Sequence, residues 1–208
     1  MVRIIAGDTR ELVNKGITIH ECSPVAAAAL GRMLTAGALM GTTLKSEKEV
    51  MTLRIDGKGQ AQGVTVTSYE GGIVKGLIGN PYGDAPLHPN GKLNVGEYIG
   101  KDGDFIIIKD LGMRDPYVGT VPIFSGEIAE DLAYYFTVSE QTPSAVALGV
   151  LVDKDYSIKS AGGFIVSCMP DATEDELFIL ENRIQEAKPI SQMLDENMTL
   201  LDIAKDIT

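Results

Sequence analysis

The chain has 208 residues, is 44% apolar and carries a formal charge of −11, enough for one large domain or a domain with an appendage, packed without disulfides or metal. Such a charge argues against binding a polyphosphate backbone, which works through Lys and Arg displacing counterions, so nucleic acid is not an expected partner. The two cysteines, Cys22 and Cys168, stand far apart and belong to no CxC, CxxC or Cys/His cluster, which indicates neither zinc nor a disulfide framework and fits a reducing cytoplasm.

Charged residues interrupt MVRIIAGDTREL before any apolar run reaches signal-peptide length, so secretion is not expected. Val25–Leu44 approaches membrane-spanning length, but it is built from Ala, Gly and Thr around Arg32 and reads as a buried helix, so no membrane partner is expected. Acidic residues concentrate at the end: Asp171–Thr208 holds ten against three basic, whereas Met1–Pro170 holds nineteen against fifteen. That shift divides the chain into a domain over residues 1–170 and a helical region over 171–208.

Val2–Ala6 reads as a strand, Asp8 as the cap of a helix over Thr9–Lys15, and Ile17–Glu21 as a second extended piece. Ser23 and Pro24 then open a helix to about Leu44, with Leu30, Met33, Gly37, Met40 and Leu44 at helical spacing. Gly31, Gly37 and Gly41 each cost about 1 kcal/mol against Ala in a helix, so their presence predicts close approach by a sheet. From Glu49 the period becomes two. Met51–Ile55, a connection at Asp56–Gly59, Gly63–Tyr69 and Ile73–Ile78 form an antiparallel meander.

Gly79–Val95 is a long Gly/Pro/Asn-rich loop, followed by strands at Glu97–Gly100, Asp104–Lys109 and Tyr117–Ile123. Ser125 is positioned to cap a helix over Glu127–Thr137. Ala145–Val152 and Tyr156–Cys168 form a hairpin turning at Lys154–Asp155, with Gly162–Gly163 marking a bulge or a close contact. In the tail, Thr173 with Glu176 forms a capping box for a helix to about Lys188, and Thr199 with Asp202 starts another carrying Ile203 and Ile207. The last is too short to stand without packing partners.

Nucleophilic catalysis of the Cys–His or Ser–His kind needs an imidazole, and the chain has only His20 and His88. His20, two residues from Cys22, reads as structural, and His88 as solvent-facing in the loop. Asp102–Asp104 and Asp153–Asp155 read as turn residues rather than metal ligands. Glu127, Glu130 and Asp131 read as a solvated helix face, and Cys168 as a small buried hydrophobe. Neither a phosphate loop nor a dinucleotide fingerprint is present. In the tail, Phe178, Ile179, Ile184, Met193 and Leu194 sit among acids on weak helices, which can detach to offer apolar surface to clients or simply cover a sheet.

The blocks ALGRMLTAGALMGTTLK, SGEIAEDLAYYFTVSEQTPSAVALGV and AGGFIVSCMP, with Gly57–Gly59, Gly76–Pro81, Leu93–Gly96 and Pro116–Gly119, closely resemble the core of the heat-shock protein 33 family. The resemblance implies an α+β fold, with a strongly twisted, largely antiparallel sheet packed against helices and a helical linker matching residues 171–208. It implies an ATP-independent holdase for unfolding client proteins, a homodimer, and no catalytic residues. In that family a further module holds zinc through CxC and CxxC cysteines and senses oxidant. No position here matches them, so no cofactor is expected on this chain, which is expected to act without full oxidant control. Two other classes remain: a small-molecule enzyme using the 79–95 loop as a lid, with Asp84, His88 and Asn90 nearby, or a passive module for one folded partner.

Overall fold

The computed structural model describes residues 2–169 and 174–208, the side chains of 174–178 and 181 excepted. Strand β1 (Val2–Asp8) leads into helix α1 (Arg10–His20), where the Asp8 carboxylate accepts from the Arg10 N–H at 2.9 Å. The extended piece expected at Ile17–Glu21 is instead the end of α1. Val13 and Ile17, one turn apart, are both buried, and that helical stripe outweighs the strand preference of the Ile17-Thr18-Ile19 run. Helix α2 (Pro24–Gly41) begins as expected, with Ser23 Oγ accepting from the Ala26 N–H at 3.4 Å and Pro24 in the first turn. It stops short of Leu44, the Thr42 and Thr43 hydroxyls bonding back to the carbonyls of Leu39 and Met40.

The meander is β2 (Val50–Lys58), β3 (Val64–Tyr69) and β4 (Ile73–Ile78). A short helix, α3 (Val95–Ile99), replaces the strand expected at Glu97–Gly100, because the Asn94 side chain accepts from the Glu97 N–H at 3.0 Å and caps it. Strands β5 (Gly100–Asp110) and β6 (Tyr117–Pro122) follow. Asp102–Asp104 therefore lies in a strand, not a turn, paired through Asp104 with Asp56, whereas Asp153–Asp155 does turn the chain, its carboxylates accepting from the N–H groups of Lys154 and Ser157.

Helix α4 (Ala129–Val138) starts two residues later than expected. Ser125 is not its cap. Asp131, fully buried, reaches back to accept from the N–H groups of Phe124, Ser125 and Ile128 at 2.7, 3.0 and 3.0 Å. Ile128 is thereby held at φ 69°, a left-handed conformation costly for a β-branched residue. The hairpin is β7 (Ser144–Val152) and β8 (Ile158–Cys168), and the tail is α5 (Glu174–Glu186), α6 (Ile190–Asp195) and α7 (Leu200–Ile207). Thr199 caps α7 by accepting from the Asp202 N–H at 3.1 Å. Thr173 and the division near Asp171 fall outside the described residues.

The architecture is α+β and antiparallel, with two sheets rather than one: five strands in the order β4-β3-β2-β5-β6 and three in the order β1-β8-β7. The main core joins them through α2, which packs on β3 and β4 on one side and on β7 and β8 on the other. Its glycines make this possible. A Cβ on Gly37 would stand 2.6 Å from Val66 Cγ1, and one on Gly31 2.6 Å from Val13 Cγ1 and 2.9 Å from Val150 Cγ2, so the close approach predicted from their cost is where they sit. Among the described residues α2 is the one helix long and apolar enough to cross a membrane, and 83% of it is buried inside the protein.

Candidate functional site

Alternation along its strands gives the three-stranded sheet two unlike faces. Ile5, Ile165, Val146 and Leu148 point toward α2 and the main core. On the other face, directly opposed residues build apolar rows across the sheet: Ile4, Val166 and Ala145, then Ala6, Phe164 and Ala147. Against these rows pack Leu180 and Ile184 of α5, Ile190, Met193 and Leu194 of α6, and Ile203 and Ile207 of α7, forming a second core separate from the first.

Small residues on the sheet seat the cover. A side chain on Gly162 would collide with Leu194, and one on Gly149 would stand 2.8 Å from Ile190 Cγ2 and from the Ser191 backbone nitrogen. Gly162–Gly163 is thus a close contact and not a bulge, the pairing of β7 with β8 being regular there. Polar anchors come from Ser160 Oγ donating to the Ser191 carbonyl at 2.6 Å and from a half-exposed Lys159–Asp195 ion pair at 2.8 Å.

Of the five tail residues singled out from sequence, the structure brings three into this interface. Met193 is 1% exposed, and Ile184 and Leu194 are partly buried beside it. Ile179 points outward at 51% exposure, and the Phe178 side chain lies outside the described ones. In this state they cover a sheet rather than display apolar surface. Their counterparts, Phe164, Val166 and Ala147, were legible only as apolar strand residues; the row they form depends on pairing between segments far apart in the chain.

Of the residues considered for catalysis, the structure brings His88 against Glu127, and the others make separate contacts. The carboxylate of Asp84 and the amide oxygen of Asn90 accept from the N–H groups of Ala85 and Lys92, local loop contacts. His20 Nε2 lies 3.0 Å from the Gly76 carbonyl oxygen. Burial pushes the Cys22 thiol up to about 11, the reverse of what an activated nucleophile needs. Cys168 is half-buried at the margin of the second core. His88 is not simply solvent-facing: its Nε2 lies 3.3 Å from Glu127 Oε1.

Glu127 also departs from the solvated face expected for the Glu127, Glu130 and Asp131 group, of which only Glu130 is exposed. Its carboxylate accepts from Arg32 Nη1 at 2.5 Å and from the Gly96 N–H at 2.8 Å. Burial alone would raise this carboxyl, but the Arg32 charge and hydrogen bonds from Arg32, Gly96 and His88 outweigh it and hold the group below the usual carboxylate range. A depressed folded-state value means stability present above the unfolded value and lost as pH falls through the folded one. Glu127→Gln is therefore expected to lower the urea midpoint at pH 7, the deficit closing as acid protonates the parent's carboxyl. A deficit independent of pH would show that packing, not charge, is what the substitution disturbs.

Comparison with known proteins agrees with this geometry. The family described as Hsp33 protein matches residues 1–208. The chain is 63% identical over 207 residues to the 33 kDa chaperonin of Clostridium botulinum (strain Alaska E43 / Type E3), covering 100% of this chain and 70% of that protein. It is 62% identical to the 33 kDa chaperonin of Clostridium beijerinckii, covering 100% and 71%. The crystal structure of the 33 kDa chaperonin (heat shock protein 33 homolog) from Thermotoga maritima superposes with a TM-score of 0.93 at 40% identity, covering 99% of this chain and 70% of that one. The chain, with its two antiparallel sheets and helical cover, belongs to the Hsp33 family of chaperones.

Proposed function

We propose that the protein is an ATP-independent holdase that binds unfolding clients through the apolar face of the β1-β8-β7 sheet when α5–α7 leave it. The observation that carries this is the second core itself: continuous apolar rows capped by helices of which α6 has six residues and α7 eight. Helices that short do not hold themselves in water, so they form only while packed, and the cover is lost as a unit. The uncovered rows attract any chain that exposes apolar side chains, at about 25 cal/mol per Å2 buried and without fixed geometry.

Cys22 packs on the main core and Cys168 on the second, and among the described residues no three His, Cys, Asp or Glu side chains converge to hold a metal. Opening on this reading lies in the α5–α7 cover. Homodimerisation is part of the same reading, checked by mass against concentration.

The test is light scattering with two unrelated heat-denatured clients, with and without ATP and peroxide. Suppression of both clients without ATP or peroxide is expected. A requirement for ATP, or activity on one client alone, would replace the holdase with an ATP-driven or single-partner role.

A further inference from the structure

Strand β7 pairs with β8 on one side and is an edge of its sheet on the other, with α4 packed against the strand. Over nine residues, SAVALGVLV, it carries neither charge nor proline. The other sheet edges are guarded: β1 contains Arg3 and Asp8, β4 contains Lys75, and β6 ends at Pro122. Proteins blunt exposed edges with such residues because a row of unpaired N–H and C=O groups recruits other strands. The pairing of β7 stays in register from Ser144 to Leu151, so its open side is regular enough to template another strand.

A groove of about 670 Å3 runs beside it, and every residue from Val146 to Val152 lines it. Successive strand residues point to opposite faces, so a cavity over one face would touch only alternate ones; contact with all seven places the groove along the edge. Leu93 and Ala129 stand on one wall, and Ile190 with the start of α6 on the other. The charges at its rim balance: Arg32 is held by Glu127 and Asp195 by Lys159, leaving Lys92 and Glu130 with opposite signs.

We infer that this edge receives an extended, uncharged segment of an unfolding polypeptide as an added strand. An electrically balanced groove favours an uncharged occupant, and a strand edge matches the main-chain repeat common to all extended peptides, so recognition requires no particular side chains. A second copy of this chain fits less well, because its own β7 lies at the floor of the same walled groove and two recessed edges cannot meet. The inference rests on the client-binding reading above and adds a second, directional mode to it.

The test uses the full chain and a ten-residue peptide of alternating Val and Thr, against the same peptide N-methylated at four adjacent central residues, which blocks both its edges and keeps every side chain. The parent peptide is expected to slow amide exchange over residues 144–152 and to compete with a heat-unfolded client, and the methylated one to bind roughly tenfold more weakly or worse. Leu151→Lys, at a position 36% exposed, is expected to weaken binding comparably without lowering the melting temperature. Equal binding of the two peptides overturns the inference, as does protection of 144–152 that grows with protein concentration in the absence of peptide. Aggregation suppression that persists with no change at 144–152 overturns this inference alone, whereas loss of suppression altogether overturns the holdase reading.

Discussion

Met193→Asp is expected to convert the protein into a more active holdase while leaving its main core folded. Met193 is 1% exposed and seated in the second core beside Phe164 and Leu194. An ionised carboxylate there has no partner, and an unpaired buried charge costs several kcal/mol even after relaxation. Helix α6 escapes that cost by leaving the sheet, and α7 and α5 lose the packing that holds them. The variant should lose helical signal, bind more of an apolar dye, and suppress client aggregation severalfold better at equal concentration. Met193→Leu, close in volume, should behave as the parent within about 1.5 kcal/mol. If dye binding shows the cover gone while suppression does not rise, the sheet face is not the client surface.

Asp131→Ala should act on the main core and destabilise it directly. One buried carboxylate satisfies three backbone N–H groups at the start of α4, and charge-assisted bonds of this kind contribute about 1.5–3 kcal/mol each, with incomplete additivity. A loss of about 3–5 kcal/mol is expected, read as a lower urea midpoint at unchanged slope. Leu132 and Tyr135, fully buried on the same helix, carry the loss into the core, Tyr135 through its edge contact with Phe105. Asp131→Asn keeps one good acceptor and should fall between. A loss under about 1 kcal/mol would mean that water replaces the cap and Ile128 relaxes from its left-handed backbone.

The starts of α2 and α4 were legible to different degrees. The α2 start could be read residue by residue, since Ser23 and Pro24 act on the next turn of their own helix. The α4 start could not: Ser125 is the better cap by type, but the chain reverses there and brings the stronger acceptor, Asp131, back from the first turn. The same distinction explains the two misplaced strands. At Ile17–Glu21 and Glu97–Gly100 local preference was weak, and burial of Val13 with Ile17 in one case, and capping by Asn94 in the other, decided for helix.

The acidic tail's amphipathic pattern was also legible, including the Thr199 cap, because a helical stripe is a property of residues three and four apart. Where that stripe lands was not. Its seat joins Ile4, Ala147 and Phe164, and Arg32 meets Glu127 across 95 positions of chain; no period in a sequence encodes which distant segments pair.

By itself the sequence determined the family core and the order of nearly all the elements, since these depend on local spacing. Only the tertiary structure decided that there are two sheets, that one of them has an apolar face sealed by three helices, and that β7, without charge or proline, stands at an edge. Those are consequences of long-range pairing, where free energy is gained by surfaces meeting and not by the segments that carry them.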